Sequence, residues 1–338
     1  FSYILLGFYA LIAQVVGIRE ILVVFYGNEL CLGVVFACWL IGVAVGAGMA
    51  ARVTDRIQQK FLFYLLLLMF LCFLFPAQIY SIRILRTLLH VPPGELISPV
   101  KLLCGALSTI TPFSFLVGAI FPVACSLFPT TNSQSRSPDS QNIGRMYIAE
   151  AVGSIIGGVA FTFWLVTHYN AFQIAALLGC LTFLVVGVLS VIYNDRKLKF
   201  ALLIGITAFV GCVLYGYAFF SPTADTFHHL TIKKRWESMQ PNIDFIKSVD
   251  SKYENLSLGL QAGQYALFTN GQYASVFPDE YGAAETAHFF LTEHPSPRAV
   301  LLIGGGAEGL IAEILKHPIE QLDYVELDPQ LLDLLSEY

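Results

Sequence analysis

The residues best able to do chemistry lie near the end of the chain, in Val300-Leu-Leu-Ile-Gly304-Gly305-Gly306-Ala307-Glu308-Gly309. This is G-x-G-x-x-G directly after an apolar run. Gly304, Gly306 and Gly309 permit a tight turn and let a ligand approach the backbone and the N-terminus of the following helix. Glu326, ending the next apolar run, is placed to accept hydrogen bonds from ribose hydroxyls. In order, strand, glycines, helix, strand and acid predict a nucleotide-type pocket. The alternative is a glycine-rich turn needed only for packing.

These residues need a parallel sheet to position them. Ala299 to Ile303 reads as a buried strand, Ala307 to Lys316 as a helix and Gln321 to Leu327 as a second strand, preceded by a helix over Glu280 to Thr292. That is the first unit of a doubly wound sheet. Before it, Leu256 to Leu260 and Tyr265 to Thr269 read as strands, and Asn270-Gly271 supplies a turn whose residues tolerate positive φ. A small β-hairpin module is expected over 253–278, and the beginning of a Rossmann-like α/β methyltransferase-type domain over 279–338.

The rest of the chain is written for a different solvent. Hydrophobic residues make up 56% and charged residues 13%, with a mean hydropathy of +0.67, whereas an ordinary soluble domain is about one-quarter charged. Residues 1–220 hold 12 Lys+Arg and 7 Asp+Glu, net +5, and residues 221–338 hold 7 and 17, net −10, which together give the chain's −5. Two regions with different surroundings share one polypeptide.

A spanning helix needs roughly 20 apolar residues. About seven windows fit: Ser2 to Gly17, Leu30 to Ala50, Phe61 to Tyr80, Val100 to Phe128, Tyr147 to His168, Ala171 to Tyr193 and Phe200 to Phe220. The fold expected is a multi-pass α-helical membrane domain over 1–220, a linker over 221–252, the hairpin module and the α/β domain. Pro112 and Pro122 predict a kinked or broken fourth helix. Residues 2–16 lack the basic flank and A-x-A site of a signal peptide, so they read as a first span.

Lys and Arg in short loops set orientation. Arg52, Arg56, Lys60, Arg136, Arg145, Arg196, Lys197 and Lys199 follow the even spans, against Arg19, Arg83, Arg86 and Lys101 on the other side. That bias predicts a non-cytoplasmic soluble domain. Loop 129–142 is Ser-, Asn- and Pro-rich and suits a mobile connection. In the linker, Lys233, Lys234 and Arg235 beside Trp236 read as a headgroup anchor or as a solvated charge run.

Ionisable groups inside a membrane are costly and usually functional or paired. Arg19, Glu20, Glu29 and Glu150 are the candidates, with an interfacial ion pair or helix cap as the alternative. Gly42/Gly46 and Gly153/Gly157 are G-x-x-x-G pairs suited to close helix packing. All seven cysteines fall in apolar runs without C-x-x-C spacing and read as small hydrophobes. No metal and no nucleic acid is expected. The chain opens on Phe1 and stops at Tyr338, soon after an acid that should end a strand, which predicts a fragment of a longer protein.

Several stretches together resemble spermidine synthases: Tyr253-Glu254, the Asn270-Gly271 turn, Asp279-Glu280-Tyr281, His294-Pro-Ser-Pro-Arg298 running into the triple glycine, and Tyr324-Val-Glu-Leu-Asp-Pro329. The helical half resembles the membrane module fused to such domains in bacteria, through Gln14, Arg19-Glu20, Gly27-Asn28-Glu29-Leu30 and Tyr147-Ile-Ala-Glu-Ala-Val-Gly-Ser-Ile-Ile-Gly-Gly158. The resemblance implies a bacterial inner-membrane protein and aminopropyl transfer from decarboxylated S-adenosylmethionine to a polyamine. Decarboxylated S-adenosylmethionine or a methylthioadenosine-like product is the implied ligand, and the lipid bilayer, with other membrane or soluble subunits, the implied partner.

By resemblance, Gly304, Gly306 and Glu326 match nucleotide-binding positions, while Tyr253, Glu254, Asp279 and Glu308 are candidates for the substrate pocket. The chain departs from the family elsewhere. Glu254 replaces a Gln, Ala274 stands where a Gln is expected, Ala283-Ala284 replace a Tyr-His pair, and Ala307 replaces an Asp unless Glu308 takes its role. Alanine can neither donate, accept nor transfer a proton, and each missing partner costs about 1–3 kcal/mol of recognition. The family's catalytic Asp would fall beyond Tyr338, so no catalytic residue is assigned. Three functions stay open: an aminopropyltransferase-like protein with an adenosyl pocket, a catalytically silent relative serving as scaffold, complex subunit or transport module, and a nicotinamide-dependent enzyme using the same glycines.

Overall fold

The computed structural model describes residues 2–127, 140–192, 198–306 and 309–338. They fall into two compact units, Phe1–Met239 and Gln240–Tyr338. The 129–139 part of the Ser-rich loop, Arg136, Arg196, Lys197, Ala307 and Glu308 lie outside the described residues.

The first unit is helical: α1 Ser2–Val24, α2 Glu29–Thr54, α3 Lys60–Arg83, α4 Leu85–Leu88, α5 Pro99–Thr109, α6 Thr111–Cys125, α7 Ser140–Ala160, a π-helical turn Phe161–Leu165, α8 Val166–His168, α9 Ala171–Ile192, α10 Leu198–Phe220 and α11 Thr223–Met239. Among the described residues six helices are long and apolar enough to cross a membrane, or seven if the bent pair α5 and α6 is one span. The break falls where the prolines predict it, with Pro112 in the first turn of α6 and a bend of 43°.

Small residues let these helices touch backbone to backbone. A Cβ at Gly46 would overlap the Phe115 carbonyl of α6, and one at Gly153 the Ile4 carbonyl of α1. The G-x-x-x-G pairs therefore serve packing, as small residues in helical bundles do.

α1 continues to Val24, past the expected end at Gly17. The reason is Glu20, which is 5% exposed and whose charge is neutralised inside the fold. Arg83 of α3 donates from Nε to Glu20 Oε2 at 2.9 Å and from Nη2 to Glu20 Oε1, and Arg235 of α11 donates to Oε2 at 2.7 Å. Arg83 also donates to Thr231 Oγ1 at 2.7 Å, and its guanidinium lies 5.1 Å from the Phe172 ring centroid. Arg86 is equally buried. It donates to the carbonyls of Val24, Pro92 and Glu95 at 3.1, 3.0 and 2.8 Å and lies over Tyr26. Arg83 and Arg86, read from sequence as loop charges, are interior groups.

The stretch read as a linker, 221–252, is instead α11 and the strand β1 Asp244–Asp250. Ala224, Thr231, Ile232, Arg235, Trp236 and Met239 are buried at helical spacing, while Lys233 and Lys234 are exposed. Arg235 and Trp236 thus belong to the bundle rather than to a headgroup anchor. Of the other ionisable candidates, Glu29 is exposed in the first turn of α2, just after the Asn28 cap, where a negative charge complements the helix dipole. Arg19 and Glu150 are half-buried.

In the second unit, β1 pairs antiparallel with β2 Asn255–Gln261, followed by β3 Gln264–Thr269 and β4 Gln272–Phe277. The expected hairpin is therefore part of a four-stranded meander. Asn270 and Gly271 turn it with φ of 48° and 81°, and Ala262-Gly263 make a second turn of the same hand. Leu256, Leu258 and Leu267 pack against Leu334 of α14 Pro329–Leu335. Next come α12 Glu280–Thr292, β5 Ala299–Ile303, α13 Leu310–Ile314 and β6 Gln321–Val325. β5 and β6 are parallel, and Val300, Leu302 and Leu322 pack against α12 and α13, while Leu301, Ile303 and Val325 on the opposite face are exposed.

Candidate functional site

The parallel pair places its loops at the carboxyl ends of β5 and β6, the usual place for ligands in such sheets. Gly304 and Gly305 leave β5 with φ of 70° and 69°, a backbone region natural to glycine. Gly304 N–H donates to the Val325 carbonyl at 3.0 Å, which holds the turn against β6. Gly306 has a different reason to lack a side chain: a Cβ there would stand 2.6 Å from the Tyr324 ring and 2.9 Å from Ile311. We expect Gly306→Ala to overpack this contact and lower the stability of the second unit by about 1–3 kcal/mol, read as a fall in its melting temperature.

Gly309, with φ of 110°, precedes α13. That helix runs only from Leu310 to Ile314, shorter than the expected Ala307 to Lys316, so the helix N-terminus contributes less than the motif alone suggests.

Glu326 follows β6 and is held by its own segment. Tyr324 Oη donates to Oε2 at 2.7 Å, and the Leu327 and Asp328 amides donate to Oε1 at 2.8 and 3.2 Å. Burial pushes its carboxyl up, but those three donors outweigh it and the net shift is downward. Glu326 is therefore a pre-oriented carboxylate. An ionised carboxylate offers about four acceptor positions, and among the described residues three are taken, which leaves one on Oε2.

Two further acids join it. Asp328, 4% exposed, caps α14 by accepting from Gln330 N–H at 3.1 Å through Oδ1, while its Oδ2 is buried with no partner among the described residues. Burial raises the Glu254 carboxyl above its ordinary range, the Asp328 charge adds to that, a hydrogen bond from Thr269 opposes it, and Glu326 adds a smaller push. This cluster of carboxylates favours a cationic or hydroxyl-rich guest.

Because the folded pKa of Glu254 is raised, its ionised form destabilises the unit at neutral pH, and the penalty disappears as pH falls through that raised value. Glu326 acts oppositely: its contribution is present above the unfolded pKa and lost as pH falls through the lowered one. Glu254→Gln should therefore melt higher than the parent at neutral pH without ligand, with the difference closing on acidification in a calorimetric pH series.

The structure brings Glu254 and Glu326 together and adds Asp328, which sequence reasoning passed over. Its signal was Asp before Pro329, a helix-start pattern. Asp279 is occupied as the cap of α12, accepting from Gly282 N–H at 3.0 Å. Tyr253 is 52% exposed beside Glu254, and Glu308 lies outside the described residues.

Residues 283–338 match the family model of the spermine/spermidine synthase domain. The chain is 35% identical over 97 residues to a polyamine aminopropyltransferase of Leptospira interrogans, covering 28% of this chain and 20% of that one. It is 25% identical over 226 residues to one of Mycobacterium tuberculosis, covering 65% and 41%, and 47% identical over 53 residues to one of Moorella thermoacetica, covering 15% and 19%. The second match exceeds the 99 residues of 240–338 and so takes in part of the helical unit as well. The chain spans about a fifth to two-fifths of the length of these curated relatives. No solved structure matches it. Residues 283–338 are thus similar to the spermine/spermidine synthase domain, and the chain is similar in part to polyamine aminopropyltransferases.

Proposed function

We propose that this is a membrane-bound spermidine synthase-like protein whose second unit binds an adenosyl ligand of the decarboxylated S-adenosylmethionine or methylthioadenosine class. The observation that carries the reading is the Glu326 carboxylate, pre-oriented beside the Gly304–Gly306 turn with one acceptor position open. Ribose hydroxyls suit that carboxylate, and the sulfonium and amine of the decarboxylated donor suit Asp328 Oδ2, unpartnered among the described residues, and Glu254, whose carboxyl burial and the neighbouring acids push up. In aminopropyl transfer a polyamine nitrogen attacks the propyl carbon next to sulfur, the carbon–sulfur bond breaks and methylthioadenosine leaves, while the attacking nitrogen loses a proton to a base. Polyamine aminopropyltransferase homologues support this chemistry as ancestry.

Helices long and apolar enough to cross a bilayer support a multi-pass membrane protein; the bacterial inner membrane follows from the family resemblance, and the excess of Lys and Arg in the loops after the even spans supports a second unit on the non-cytoplasmic face. Titration calorimetry of the purified chain with methylthioadenosine tests the ligand reading: saturable binding is expected, and none at millimolar ligand would sink it. Retention in the pellet after alkaline carbonate extraction tests the membrane reading separately.

A second reading, a catalytically silent relative that docks a membrane or soluble subunit, is favoured by Ala274, exposed on β4, and by Ala283 and Ala284 in the first turn of α12. Conversion of putrescine to spermidine with decarboxylated S-adenosylmethionine would remove it. Ligand binding without turnover would select it.

A further inference from the structure

Two Gly-Cys dipeptides, Gly179-Cys180 in α9 and Gly211-Cys212 in α10, meet across one helix interface. A Cβ at Gly179 would overlap the Tyr215 ring, and one at Gly211 would lie 2.6 Å from Cδ1 of Phe183. Each helix therefore lays an aromatic ring on the glycine of the other, and the two rings sit 5.5 Å apart. Tyr215 is fixed further by donating its hydroxyl to the Cys72 carbonyl of α3 at 2.8 Å. Ring on glycine, twice, sets the register of the pair. In that register Cys180 Sγ and Cys212 Sγ stand 3.6 Å apart.

A disulfide needs sulfurs about 2.05 Å apart. The sulfurs must close by roughly 1.5 Å, and rotation about χ1 is the motion that moves them while the glycine contacts hold the backbone. An apolar groove of about 780 Å³ runs along the same interface, lined by Phe183, Gly187, Gly205, Phe209 and Cys212, and gives a small apolar oxidant a route to the Cys212 thiol. The remaining cysteines differ in setting: Cys31, Cys38, Cys72 and Cys125 are buried, and Cys104 is exposed.

We propose that Cys180 and Cys212 are a disulfide-forming site that joins α9 to α10 covalently on oxidation. Two S–H bonds break and one S–S bond forms; the two electrons and two protons pass to molecular oxygen, which leaves as hydrogen peroxide. The bond would close a loop from residue 180 to residue 212 and restrict the unfolded chain, so it should stabilise α10 against the bundle.

The test is oxidation of the purified full chain in air with copper phenanthroline, alkylation of remaining thiols and peptide mass spectrometry. A peptide pair linked through Cys180 and Cys212, lighter by two hydrogens and separated by dithiothreitol, is expected. It should vanish in Cys180→Ser and in Cys212→Ser, with both variants melting like the reduced parent. The oxidised parent should melt several degrees higher than the reduced one. Recovery of Cys180 and Cys212 each singly alkylated, in a sample where the exposed Cys104 has reacted with the oxidant, would overturn the proposal. Linkage of either to a different cysteine would overturn it too.

Discussion

Glu20→Ala should destabilise the helical unit by about 3–5 kcal/mol, because it strands two buried guanidinium groups. Arg83 and Arg235 are 1% and 4% exposed, and both reach the same carboxylate. Without it each positive charge keeps its desolvation cost and loses its counter-charge. Thr231 and the His228 carbonyl can still accept from Arg83, but neither carries a negative charge. Thermal unfolding in detergent would measure the loss, and proteolysis should cut first in α11, which Arg235 ties to α1. Replacing all three residues by methionine should cost less than Glu20→Ala alone, because none of the three charges is then left buried without the others. If the triple variant were the worse of the two, charge compensation would not be what holds α11.

The second large effect concerns ligand rather than fold. Glu326→Ala should weaken methylthioadenosine binding by roughly ten- to a hundredfold, since the one hydrogen bond its open acceptor position can take from the ligand contributes about 1.5–3 kcal/mol. The variant also frees Tyr324 Oη and the Leu327 and Asp328 amides, so its melting temperature must be compared with that of the parent. Calorimetric affinity within threefold of the parent, in a variant that still folds, would show that the carboxylate does not hold the ligand. A conservative check is Glu326→Gln. It keeps size but offers one acceptor oxygen in place of two, and it should fall between parent and alanine.

What could be read from residues alone was local. Apolar runs of spanning length located the long helices to within a few residues at most ends, because bilayer or bundle interior demands the same unbroken apolar surface. Pro112 marked the break between α5 and α6, since proline removes a donor wherever it sits. Asn270-Gly271 marked its turn because those residues tolerate positive φ. The glycine turn after β5 and the acid after β6 were legible as a pattern of strand, turn and acid.

What could not be read was partnership. α11 looked like a polar tether because its buried stripe includes Thr231 and Arg235, residue types that sequence reasoning assigns to solvent. Only the approach of Glu20 from 215 positions away makes an arginine there an interior residue. α1 was cut short at Gly17 for the same reason: an acid in an apolar run reads as an end until its partners are in view. Asp328 carries the local pattern of a helix cap, Asp before Pro329, and is one, yet its second oxygen is buried and its charge acts on Glu254, which no spacing in the chain encodes.

For this protein the sequence by itself determined the long apolar helices, the glycine turn chemistry and the family resemblance, because each rests on contacts within a few residues or on apolar periodicity, while α11 and β1 escaped it. The tertiary structure alone decided which charges are neutralised, that Glu326 is oriented before any ligand arrives, and that two cysteines 32 positions apart stand sulfur to sulfur. Burial and pairing of polar groups depend on what the fold brings from far along the chain, and local pattern carries no record of that.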